Sequence, residues 1–112
     1  MHEIHAERLI SSVRAGRRVL LLAESATKGR DYFNGMREEL EGEVLEARLT
    51  VGREKLTVRG GGSVRVLPLR SVVAARGVLV DEVYMPIGAS AGTVAAVWPS
   101  LQTSPVGLIT GY

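Results

Sequence analysis

Val19-Leu20-Leu21-Leu22-Ala23 is an uninterrupted apolar run, entered through Arg17-Arg18 and left through Glu24-Ser25. A strand with one wet face alternates apolar and polar residues, whereas a run with no polar face needs cover on both sides. The run therefore predicts a strand inside a parallel sheet, with helices above and below it. The flanking sequence agrees. Residues 2–15 carry Ile4, Leu9, Ile10 and Val13 near one helical face, and Gly16 suits a C-terminal cap. Ser25 or Thr27 caps a second helix to about Glu41, with Tyr32, Phe33, Met36 and Leu40 at helical spacing and Gly42 beyond its end. Helix–strand–helix order opens an α/β architecture.

Residues 55–59 and 63–67 alternate and are joined by Gly60-Gly61-Gly62, which predicts a β-hairpin closed by a glycine turn. Residues 44–54, with Val44, Leu45, Leu49 and Val51, fit either a short strand or an irregular crossover. Pro68 stops the hairpin, and residues 71–76 read as a helical turn or loop. Val78-Leu79-Val80-Asp81-Glu82 reads as a second buried strand that ends in two acids. A helix is expected over residues 89–101, with Val94, Val97, Trp98 and Leu101 on one face and Pro99 shortening or kinking it. The last strand is expected over residues 106–110. The expected fold is one three-layer α/β domain over residues 1–112, a mostly parallel sheet with an added hairpin.

Charge is distributed unevenly. All 14 Lys and Arg residues precede Gly77, and from there to Tyr112 the only charged side chains are Asp81 and Glu82. Such a stretch predicts elements buried on several sides, or a surface made for a partner. A net charge of +2 does not by itself imply a nucleic-acid partner. The absence of cysteine excludes disulfides and thiolate metal sites. No apolar window reaches the length of a membrane span, and no basic-then-apolar leader opens the chain, so an intracellular, non-secreted protein is expected.

Apolar residues followed by Asp81-Glu82 form a Walker-B-type pattern. At the carboxyl end of a buried strand an Asp can hold Mg²⁺ and an adjacent Glu can activate water, in the crevice where open α/β sheets bind ligands. The order around it is a helix, Arg18 to Ser25, a helix, a hairpin, Ala74-Ala75-Arg76-Gly77 before the acidic strand, a helix, and Gly107-Leu108-Ile109-Thr110-Gly111. This resembles the ATPase core of phage large terminases, P-loop NTPases of the additional-strand, helicase-like type, over almost the whole chain. The resemblance implies that Asp81 coordinates the metal, that Glu82 is the catalytic carboxylate, that Thr110 and Gly111 form the coupling motif, and that Arg76 is the basic residue before the Walker B strand. It implies a phage-encoded protein of the host cytoplasm.

The departure from that family is a missing phosphate loop. No Gly-Lys-Ser or Gly-Lys-Thr occurs, and Lys28-Gly29-Arg30 has the wrong order. Without backbone N–H groups to cradle phosphates, hydrolysis by this chain alone is not expected, and no cofactor is expected on it. Mg²⁺ and ATP would be held only with a phosphate loop supplied in trans. In that ATPase class the coupling strand lies between the phosphate-loop and Walker B strands. Residues 106–110 are therefore expected at an unpaired sheet edge, to be covered by a second copy, by a partner chain carrying the missing strand, or by a rearranged helix. A non-catalytic interaction protein on a degenerate NTPase scaffold is the rival expectation. A nucleic-acid-binding module is the third, carried by Lys55, Arg59, Arg65 and Arg70 on or beside the hairpin, with Arg48 and Arg53 nearby; no aromatic residues interleave for base stacking. His2 and His5 lie one helical turn apart but read as surface residues. Ser25, Thr27 and Lys28 stand where the resemblance to helicases implies nucleic-acid contact, and capping explains the two hydroxyls equally well; Trp98 reads as core or interface.

Overall fold

The computed structural model describes residues 1–75, 78–89 and 91–112. Two capped helices frame the first strand. Helix α1 spans Glu3–Arg14, and the ring nitrogen Nδ1 of His2 accepts its Ile4 N–H at 3.1 Å. Helix α2 spans Ala26–Glu39, and Ser25 Oγ accepts the Lys28 N–H at 3.2 Å. Such caps satisfy amide groups that the first turn of a helix leaves free. Between them runs β1, Arg18–Ala23.

The remaining strands are β2 (Val44–Arg48), β3 (Lys55–Val58), β4 (Ser63–Pro68), β5 (Glu82–Met85) and β6 (Leu108–Gly111); helix α3 (Ala91–Leu101) joins β5 to β6. A pair of 3₁₀ turns spans Leu69–Ala75. The six strands form one mixed sheet in the order β2-β3-β4-β1-β5-β6. β4, β1, β5 and β6 run parallel to one another, and β2, β3 and β4 form an antiparallel meander.

The apolar run of β1 is explained by two cores. Val19 and Leu21 pack with Leu9, Val13, Phe33 and Met36 of α1 and α2. Leu20 and Leu22 turn to the opposite face, where they meet Ala75, Val97 and Leu101. Full burial of a leucine contributes about 1.5–3 kcal/mol, so three adjacent ones fix this strand at the centre of the sheet. The α/β class, the parallel centre and the glycine-turned hairpin follow the sequence expectation.

Of the two alternatives for residues 44–54, the strand is taken: residues 44–48 form an edge strand, so the hairpin is a three-stranded meander. Three segments differ. The strand expected over residues 78–82 begins instead at Glu82: Glu82, Val83 and Tyr84 are the residues that pair with β1, while Val80 reaches the second core from the segment before the strand. Helix α3 runs through Pro99, near its carboxyl end, and buries Val97, Ser100 and Leu101; Val94 and Trp98 are exposed. The last strand starts two residues later than expected, at Leu108. Among the described residues no helix is long and apolar enough to cross a membrane.

Candidate functional site

The acidic pair lies at the amino end of β5. Glu82 is level with Val19, and the Asp81 amide donates to the Arg18 carbonyl at 2.8 Å. The two arginines that open β1 face the two acids that open β5. Arg18 grips Asp81 three ways: its backbone N–H reaches Oδ2 at 2.8 Å, and its guanidinium reaches Oδ2 and Oδ1 at 3.3 and 3.2 Å. Arg17 Nη1 pairs with Glu82 Oε2 at 3.3 Å. Ser104 Oγ donates to Asp81 Oδ1 at 2.7 Å and accepts the amides of Val106 and Gly107. Asp81 therefore joins the starts of β1 and β5 to the loop that leads into β6.

This position corrects the Walker B placement. Ligands of parallel sheets gather at the carboxyl ends of the strands, and both acids stand at the opposite end. The ladder sets Glu82 beside Leu108 and Tyr84 beside Thr110. Thr110 and Gly111 are thus about 7 to 10 Å further along the sheet than Glu82. The structure does not bring the acids and the expected coupling pair together. Both Asp81 oxygens are occupied by protein donors, so its candidate role as a Mg²⁺ ligand has no open coordination position. Arg76 lies outside the described residues.

The Arg18 hydrogen bond is the main reason the Asp81 carboxyl is held down to about 2; desolvation opposes it, and the Arg18 amide and Ser104 hydroxyl add to it. A folded-state value below the usual 3.8 means that the ionised form stabilises the fold above that value. The contribution disappears as pH falls from about 4 to 2. It amounts to about 2 kcal/mol. Asp81→Asn is therefore expected to lose about 2 kcal/mol at neutral pH and to flatten the acid limb of stability below pH 4, as read by urea unfolding across pH.

At the carboxyl ends, β1 turns into α2 on one face and β5 leads to α3 on the other, the place where such sheets open a crevice. Tyr112 lies across it. Its hydroxyl donates to the Leu22 carbonyl, its amide donates to Met85 O at 2.9 Å, and its carbonyl accepts the Ile87 amide at 2.7 Å. Its ring meets Tyr32 edge-on, and Tyr32 donates to Glu24 Oε2 at 3.0 Å. Burial pushes the Tyr112 hydroxyl far above its ordinary range, so it stays a neutral donor.

The basic residues of the meander do converge. Lys55 is the register partner of both Arg48 and Arg65, which sets three cations in a row across β2, β3 and β4. No acid pairs with them among the described residues. Arg59 follows the end of β3 and Arg70 sits on the 3₁₀ turns; both are exposed and outside the row. The described residues contain no group of three or more His, Asp or Glu able to hold a metal ion.

Arg17, Arg18, Ser104 and Tyr112 were not singled out in the sequence. The arginine pair carried a signal: two cations ahead of one buried strand match two acids at the head of its parallel neighbour. Comparisons with protein-family models, with curated proteins and with solved structures find no match for this chain, so its residues and their geometry alone carry the functional reading.

Proposed function

We propose that this chain is a non-catalytic interaction module whose sheet is completed at β6 by a strand from outside residues 1–112, in the first instance a second copy of itself. The contrast between the two sheet edges carries this reading. β2, at one edge, holds Glu46 and Arg48 and a register shift between Val44 and Glu46. Charges and bulges of this kind keep an edge from recruiting strands. β6, at the other edge, is Leu-Ile-Thr-Gly, with no charge, no proline and a regular register. The Leu108 and Tyr112 amides turn toward β5, and alternation leaves those of Ile109 and Gly111 facing outward, with no strand beyond them among the described residues. Residues 83–112 contain no charged side chain. Leu108, Ile87 and Trp98 in this segment are each about half exposed or more.

Two copies related by a two-fold axis would pair β6 with β6 antiparallel, each presenting the same patch. Light scattering over a concentration series is expected to show a dimer. Leu108→Lys, which adds a charge on the exposed strand without touching either core, is expected to weaken association by at least about tenfold. A mass that stays monomeric at every concentration sinks the proposal.

The place of β6 beside β5 at a sheet edge favours a second reading, because the resemblance to large terminases implies a coupling strand next to the Walker B strand. There a phosphate-loop strand of another polypeptide would occupy the same edge, and ATP with Mg²⁺ would bind only in that assembly. The amino-end position of Asp81 and Glu82 weighs against it. Calorimetry with millimolar ATP and Mg²⁺ tests the ATPase reading from one side: binding that Glu82→Gln weakens supports it, whereas the chain without its partner is expected not to bind on either reading. A nucleic-acid role would rest on the Arg48, Lys55 and Arg65 row, and would show binding that falls steeply with salt and is lost when those cations are neutralised.

A further inference from the structure

A groove of about 750 Å³ runs between α1 and α2, on the layer opposite α3; Tyr32 in its lining meets Tyr112, the residue after β6. Ala6 and Ile10 from α1 and Gly35 and Met36 from α2 belong to its lining. Gly35 keeps it open: a side-chain carbon added there would meet no atom within 4 Å. Acids form the rim, with Glu3 and Glu7 on α1 and Asp31 and Glu38 on α2, all exposed. The single arginine in the lining, Arg14, is already engaged by Glu43 at 2.9 Å. The groove follows α1 from Glu3 to Arg14, about 17 Å, or three helical turns.

We infer that this groove docks a basic amphipathic helix of a partner protein. Three features select that occupant. The length admits apolar anchors at i, i+3 or i+4 and i+7, the spacing by which a helix seats in a groove between two helices. The narrow apolar strip of Ala6, Ile10, Gly35 and Met36 suits leucine-sized anchors. The acidic rim on both sides suits lysines and arginines flanking them, and it repels an acidic helix. The inference does not rest on the β6 edge, none of whose residues lines the groove.

The probe is a fluorescein-labelled, end-blocked peptide of about 15 residues, with leucine at helical spacing and lysine elsewhere. Fluorescence anisotropy against the full chain is expected to give binding in the micromolar range that weakens with salt. Gly35→Leu fills the floor and is expected to fold at least as well as the parent, since glycine is a poor residue inside a helix. It should weaken binding by at least about tenfold, as should Glu7→Lys combined with Glu38→Lys. Leu108→Lys should leave the affinity unchanged, which keeps failure here distinct from failure of the edge. The inference is overturned if the peptide does not bind at millimolar concentration. It is equally overturned if a glutamate version binds as well, or if Gly35→Leu leaves the affinity as it was.

Discussion

Gly62→Ala is expected to destabilise the protein by at least about 3 kcal/mol, far more than a glycine in a surface turn would suggest. Three glycines join β3 to β4, and they are present for different reasons. Gly60 and Gly61 have φ near +89° and +88°, which suits a tight turn and costs another residue roughly 1–2 kcal/mol. Gly62 is buried and lies against the last turn of α1. A methyl carbon there would overlap the Val13 carbonyl oxygen and fall 2.8 Å from its carbonyl carbon. Backbone cannot rotate aside as a side chain can. To relieve the overlap α1 would have to lift, exposing Leu9 and Val13, which are fully buried. Urea unfolding of Gly60→Ala and Gly62→Ala side by side should show the second loss clearly exceeding the first. Equal losses would mean that the close approach to α1 is not what requires glycine.

Arg30→Ala is expected to cost about 3 kcal/mol, because it strands a buried charge. The Glu54 side chain is 1% exposed, and Arg30 Nε approaches its Oε2 at 3.0 Å. The alignment falls short of a hydrogen bond at that oxygen, so attraction between the charges dominates. Arg30 also donates to the Leu49 carbonyl, and the Glu54 carbonyl accepts the Val66 amide at 2.9 Å. The pair thus fastens α2 to the loop between β2 and β3. Arg30 itself is partly exposed, so water softens the penalty and places it toward the lower end of the range for a broken buried pair. Arg30→Met with Glu54→Leu is expected to recover most of the loss, because neither charge is then buried alone. A double-mutant cycle in urea reads the coupling directly. Additive single losses would show that the two charges do not depend on each other.

How much of this was legible in sequence differs from element to element. β1 was legible because burial on both faces leaves no polar residue in a strand. β2 was not: its residues are exposed apart from half-buried Val44, so a defended edge strand shows no alternation. Residues 78–85 are apolar on both sides of the acids, so a strand fits either before or after them by pattern alone. Pairing decides it. Arg17 and Arg18 draw Glu82 and Asp81 to the amino end of β1, and Val83 to Met85 then fill the two cores. This shift moves the candidate catalytic pair to the wrong end of the sheet. Glu54 was illegible because, between Arg53 and Lys55, it has the look of a loop acid. The groove between α1 and α2 depends on how far apart two helices settle, which neither helix encodes alone. The β6 edge was an expectation from the resemblance to large terminases, and β6 does stand at an edge of the sheet.

Completion of the sheet at β6 is tested most directly by amide hydrogen exchange at Ile109 and Gly111. Their outward N–H groups gain a partner only when another strand joins the edge, whereas the Leu108 and Tyr112 amides are already bonded toward β5. Protection at Ile109 and Gly111 that rises with protein concentration, and is lost in Leu108→Lys, is the predicted result. Fast exchange at both positions from dilute to concentrated solution, in a protein otherwise folded, would contradict it.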